Sequence, residues 1–212
     1  MFTCKQKRIN IEVIKILIEN GADVNIPNKE GDIPLLLICK NIYENEQILK
    51  FIIEHGATVD TKNNFGDTPL MLACKQYANV KIVKFLIEKG ANVNLKNNNG
   101  NTPLLLTCGE DYIDENVMKC LVEYDADVNV KNNLGDTPLL LICKKKHKNE
   151  NVLKYLIEHG ADVNIKNKKG DIPLLLICKN IYDNEKILKY MIEHGAIVDT
   201  KNNFGDTPLM LA

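Results

Sequence analysis

Apolar positions in this chain fall into two alternating patterns. A short run opening on proline, as in GDTPLMLACK (66–75), is followed by a stretch such as NVLKYLIEHG (151–160), where Val152, Leu153, Tyr155, Leu156 and Ile157 stand at helical spacing ahead of Gly160. Both predict short helices. Thr68 can cap the first helix and Pro69 can occupy its first turn, where a missing backbone donor costs nothing. Thr102, Thr137 and Thr207 repeat the device, whereas Ile33 and Ile172 stand in the capping place of two other helices. Those two starts should be weaker by about 1 kcal/mol each, so Ile172→Thr is expected to raise the melting temperature. The second helix stops at a glycine able to turn left-handed. Asp125 holds that place once, at some conformational cost.

The two patterns recur with a fixed period. GDxPL and its variants begin at Gly31, Gly66, Gly100, Gly135, Gly170 and Gly205, spaced 35, 34, 35, 35 and 35 residues apart. GA stands ten residues earlier, at Gly21, Gly56, Gly90, Gly160 and Gly195. Each unit therefore reads as helix, loop, helix and an extended finger that closes on the turn glycine. One helix pair cannot bury its apolar rows alone, so stacked neighbours must supply the other face of the core. The rows expected inside are Leu35, Leu70, Leu104, Leu139 and Leu174 in the first helix, and Ile53, Ile87, Val122, Ile157 and Ile192 in the second. The fold class is all-α, a solenoid of stacked helix-turn-helix repeats with hairpin-like finger loops. Residues 1–212 form a single array: a partial repeat (1–30), full repeats 31–65, 66–99, 100–134, 135–169 and 170–204, and a truncated repeat (205–212).

Composition changes this picture little. The 212 residues are 45% apolar and carry 27 basic and 28 acidic side chains, a formal charge of −1 that offers no bulk attraction to nucleic acid or anionic membrane. Asparagine and isoleucine are abundant and serine is absent, a bias we attribute to an AT-rich genome. No apolar run approaches the roughly 20 residues of a membrane span, and MFTCKQKRIN lacks the apolar stretch of a secretory signal. We expect a cytoplasmic protein, the nucleus standing as an alternative. Six of the seven cysteines (Cys4, Cys39, Cys74, Cys108, Cys143 and Cys178) mark one repeat position. Stacked helices lie roughly 8 to 10 Å apart, beyond the ~7 Å Cα limit for a disulfide, so reduced, inert thiols are expected.

With GDTPL, a helix pair and then IEHGADVN, the sequence resembles the ankyrin repeat family along essentially its whole length. Two features depart from that family. Its usual repeat is shorter, and its TPLH tetrapeptide carries a histidine where this chain has Leu36, Met71, Leu105, Leu140, Leu175 or Met210. Apolar packing should replace the polar network of that histidine. The extra residues fall in the loop joining the helices, where Tyr43, Tyr77, Tyr112 and Tyr182 stand, with His147 in the fourth full unit. Each ring is expected to lie over the ends of its own helices. Residues 31–73 and 170–212 differ at only five of 43 positions, the mark of a copied four-repeat block. Both termini align with the middle of a first helix, which suggests a fragment of a longer array.

Candidate chemistry is sparse. His55, His159 and His194 share a position that accepts Lys89 elsewhere, so it is a solvent position, and His147 lies in a basic loop. Asp32, Asp67, Asp136, Asp171 and Asp206 each adjoin a turn glycine, where turn stabilisation is a better account than acid–base work. There is no phosphate-binding GxxxxGK[ST] loop. No catalysis, cofactor or metal is expected. Lys15/Glu19, Lys50/Glu54, Lys84/Glu88, Lys119/Glu123, Lys154/Glu158 and Lys189/Glu193 are i, i+4 pairs in the poorer orientation, read as solubilising surface.

The resemblance implies partner binding by the finger tips and the concave surface of the first helices. The tips are Glu30, Phe65, Asn99, Leu134, Lys169 and Phe204. Phe65, Leu134 and Phe204 are apolar residues placed in turns, suited to anchor a partner or to pack on the next finger. Two lysine rows flank them, Lys62, Lys96, Lys131, Lys166 and Lys201 in the fingers and Lys40, Lys75, Lys144 and Lys179 after the cysteine row. A protein partner with acidic and apolar features is expected, bound by a monomer unless the uncapped ends associate. The alternative is the targeting arm of a larger enzyme or receptor. Nucleic-acid binding through the lysines is a third and weaker reading.

Overall fold

The computed structural model describes residues 10–40, 46–75, 79–146, 149–179 and 185–212. Twelve α-helices run through them: α1 (Ile11–Glu19), α2 (Pro34–Cys39), α3 (Glu46–Glu54), α4 (Pro69–Ala73), α5 (Val80–Glu88), α6 (Pro103–Gly109), α7 (Glu115–Glu123), α8 (Pro138–Cys143), α9 (Glu150–Glu158), α10 (Pro173–Cys178), α11 (Glu185–Glu193) and α12 (Pro208–Leu211). Each even-numbered helix from α2 to α10 packs on the helix that follows it, and α2, α4, α6, α8, α10 and α12 stack in sequence. The result is the expected all-α solenoid.

The first-helix row is buried as its spacing predicts, with Leu35, Leu70, Leu104, Leu139 and Leu174 at most 1% exposed. The second-helix row is corrected. Ile157 is buried as expected, but Ile53, Ile87 and Val122 are only half-buried and Ile192 is exposed, while the residues one place earlier, Ile52, Leu86, Leu121, Leu156 and Met191, are sealed. The helix is rotated so that Leu49, Val83, Met118 and Leu153, three residues before the sealed row, share its inner face.

Proline opens every first helix, and Thr68, Thr102 and Thr137 accept from the amides of Met71, Leu105 and Leu140. Met71 also takes the Thr68 amide on its sulfur at 3.4 Å, so a thioether partly stands in for the family's polar residue. Ile33 and Ile172 make no such cap, but they are 1% and 0% exposed. Ile172→Thr would exchange buried hydrocarbon, worth about 1 to 2 kcal/mol, for a cap worth about 1 kcal/mol. The melting temperature is therefore expected to stay level or fall, and a rise in calorimetry would show that the cap dominates. Asp125 holds φ 64, the left-handed turn that its glycine counterparts make.

Cys39, Cys74, Cys108 and Cys143 are buried between stacked helices and in no disulfide, Cys178 is half-buried, and Cys4 lies outside the described residues. Burial pushes the thiols of Cys39 and Cys108 up to about 12 and raises that of Cys74 as well. They are protonated at neutral pH and unsuited to act as nucleophiles.

Candidate partner-binding surface

The fingers are stitched to one another by backbone and asparagine. The amides of Asn64, Asn98, Asn133, Lys168 and Asn203 each donate to the tip carbonyl of the preceding finger, on Glu30, Phe65, Asn99, Leu134 and Lys169, at 3.0 to 3.1 Å. Four of these residues also donate a side-chain amide backwards: Asn64 to Lys29, Asn98 to Asn64, Asn133 to Asn98 and Asn203 to Lys168. This closeness explains the turn glycines. A Cβ on Gly66 would sit 2.8 Å from the Asn98 nitrogen, and its φ of 75 is one that other side chains rarely adopt.

A second asparagine column bridges repeats nearer the helices. Asn25, Asn94, Asn129 and Asn164 donate to the carbonyls of Gly56, Asp125, Gly160 and Gly195, and accept from the backbone of Thr58, Asp127, Asp162 and Ile197. An amide both donates and accepts, which a carboxylate cannot do. Asparagine abundance is thus structural, a role that reading it as genomic bias missed. The signal was available, since these residues recur at the repeat spacing.

Most members of both lysine rows are also committed internally. The ammoniums of Lys62, Lys96, Lys131 and Lys166 donate to the carbonyls of Lys96, Lys131, Lys166 and Lys201 in the next finger. Lys40, Lys75 and Lys144 pair with Asp32, Asp67 and Asp136 of their own repeats, the last two at 2.8 and 2.5 Å. The carboxylates are at most 7% exposed, whereas the lysine side chains keep 36 to 38%. Each carboxylate also accepts from the next repeat, from Asn63, Asn97 and Asn167. Burial raises the Asp32 carboxyl, but hydrogen bonds from Lys40 and Asn63 outweigh it and hold it below the usual range. Lys179 is exposed after α10. The aspartates therefore tie repeats together as well as steadying turns.

Onto this fixed rail the structure places the tips. Phe65 and Leu134 are 64% and 66% exposed although a finger follows each, and Phe204, with no described finger beyond it, is 77% exposed. Glu30, Asn99 and Lys169, which alternate with them, are exposed too. Tyr112 corrects one expectation: at 85% exposed it stands clear of its helices. Tyr43, Tyr77, His147 and Tyr182 lie outside the described residues. Between the loop of Tyr112 and the start of α9 lies an open groove of about 550 Å³, lined by Asp111, Ile113 and Lys145 among others. Lys145 donates to the Glu110 carbonyl across it, and burial lowers its ammonium.

His55, His159 and His194 are exposed, each bonded through Nδ1 to the carbonyl four residues back and set against the aromatic ring there. Lys89 sits over Phe85 in the same place. On the second helices the lysines mostly turn the other way from expectation: Lys119, Lys154 and Lys189 pair with the preceding Glu115, Glu150 and Glu185, and Lys15 pairs with Glu12. Glutamate first is the better orientation on a helix. Among the ion pairs of the described residues only Lys50 reaches forward, to Glu54 at 3.9 Å. Among the described residues no three His, Cys, Asp or Glu side chains are grouped to hold a metal, and no helix is long and apolar enough to cross a membrane.

A family profile described as ankyrin repeats (3 copies) matches residues 1–97, 78–167 and 146–212. The chain belongs to the ankyrin repeat family. No curated protein matches this ankyrin array, but 551 solved chains do. One is the crystal structure of the ankyrin repeat domain of Bcl-3, described as a unique member of the IkappaB protein family. It is similar at a TM-score of 0.77 and 23% identity, over 95% of this chain and 87% of that one. At that identity the likeness concerns the fold. A fold so widely used points to a protein–protein interaction module and singles out no partner.

Proposed function

We propose that this ankyrin array is a non-catalytic scaffold that grips a protein partner along the finger tips and the adjoining first-helix face. The observation that carries the reading is the row of exposed Phe65, Leu134 and Phe204. Large apolar side chains are held out from turns whose backbones the neighbouring fingers fix. A rigid platform loses little conformational entropy on binding, and exposed aromatics are effective anchors. Affinity capture from the source cell tests this with the triple variant Phe65→Ala, Leu134→Ala and Phe204→Ala. The partner should be lost; undiminished capture would clear the tips of any role.

A further inference from the structure

Among the full repeats the residue types of the Asp–Lys–Asn arrangement are interrupted once, in both own-repeat members together. Where Asp32, Asp67 and Asp136 stand in other repeats, the repeat of α6 has Asn101; where Lys40, Lys75 and Lys144 stand eight residues later, it has Gly109. Loss of the carboxylate and of its cation in the same unit removes a charge pair without leaving either charge buried alone, so the array stacks through the gap.

The gap has a shape and a polarity. A Cβ on Gly109 would come no closer than 4.0 Å to another side chain, that of Leu141, so a side chain has room to start where the other repeats carry lysine. Leu106 and Leu141 form a half-buried apolar floor beside it. Asn101 is half-buried, whereas Asp67 and Asp136 beneath their lysines are 5% and 1% exposed. Among the described residues the Asn101 side chain makes no hydrogen bond. The oxygen of the next repeat's Asn132 is already taken by the amides of Leu134 and Asp136. The two amides therefore hold four N–H donors against the one oxygen of Asn101, an excess of donors whichever way that amide is turned. One repeat away on either side, Lys75 and Lys144 expose their ammoniums over buried carboxylates. The notch thus combines surplus donors, an apolar floor and cationic flanks, and what it lacks is an anionic acceptor.

We propose that this notch receives a carboxylate side chain of the protein partner, whose neighbouring apolar residues lie on Leu106 and Leu141. The proposal rests on the partner-binding reading above and names the chemistry that this part of the surface selects. The carboxylate takes the N–H groups of Asn101 and Asn132 in trans, filling the position that the repeats of α2, α4 and α8 close with their own Asp–Lys pairs.

The probe is a displayed library of random dodecapeptides selected on the full chain. Its counterpart is the double variant Asn101→Asp with Gly109→Lys, which restores the pair made by Asp67 and Lys75. Gly109 does not hold a left-handed φ and has room for a side chain, so the variant should melt at or above the parent. Selected peptides should carry Asp or Glu between apolar residues. They should bind about tenfold or more weakly to the double variant, and equally so when their own acid is changed to its amide. If the double variant melts below the parent, Gly109→Glu, which supplies a carboxylate from the chain itself, should block the same peptides. Peptides that bind parent and variants alike, enrichment without an acid, or no enrichment would overturn the proposal. Binding lost on the tip triple variant but kept on the notch variants refutes the notch and leaves the tips standing; the converse refutes the tips.

Discussion

The octapeptide GDTPLMLA stands twice in this chain, at 66–73 and at 205–212, in two different environments. In the first copy Leu70 and Met71 are 0% exposed; in the second Leu209 and Met210 are 87% and 70% exposed. Thr68 caps its helix and Thr207 does not. A Cβ on Gly66 would meet the next finger, while one on Gly205 would meet nothing. The sequence is the same, so the difference comes from the neighbour: α4 lies under the α6 repeat, and α12 has no described repeat beyond it. A repeat of this array sets the geometry of half a core, and the adjacent repeat completes it.

The sharpest way to break that comparison is to truncate the same leucine in both copies. Leu70→Ala should cost about 2 to 5 kcal/mol by cavity formation, and Leu209→Ala should stay within about 0.5 kcal/mol, as at an exposed site. Urea unfolding measures both, and equal losses would mean that burial does not follow the neighbour. A smaller contrast concerns the turn glycines. Gly66→Ala adds a contact with the Asn98 backbone to the left-handed penalty, for a total of about 2 kcal/mol or more, whereas Gly205→Ala incurs the penalty alone, about 1 to 2 kcal/mol. Thermal melts of the pair separate the two terms.

The smallest effect distinguishes Asp32 from its half-buried copy Asp171. The Asp32 carboxyl is held below its ordinary value, so its contribution is present above the unfolded pKa of about 4 and is lost as pH falls through the lower folded value. Acid should therefore loosen residues 31–40 in that window, and Asp32→Asn should abolish the dependence. Titration of Asp32 by NMR at or above the ordinary carboxylate value would contradict the pairing with Lys40.

The fold was legible because its determinants are local. Proline and threonine mark the helix starts, glycine or Asp125 marks the ends, and one apolar row lies inside. What the sequence hid depends on which atom of the next repeat stands opposite. Asn94 and Asn129 read as compositional until the carbonyls of Asp125 and Gly160 are seen facing them. Lys62 and Lys75 read as surface charge, yet one reaches a neighbouring carbonyl and the other a buried aspartate. The candidate tips follow from turn chemistry, but whether Phe65 and Leu134 stand out or pack against the next finger depends on where that finger lies. Asn101 and Gly109 look like unrelated substitutions until the Asp67–Lys75 pair shows that they are two halves of one contact.

Native-state hydrogen exchange on the two copies of GDTPLMLA tests the shared core most directly, because their identical sequences set nearly the same intrinsic rates. Amides of α4 should exchange only on opening that approaches global unfolding, and those of α12 within a small factor of the unprotected rate. Equal protection in the two helices would contradict a core completed by the neighbouring repeat.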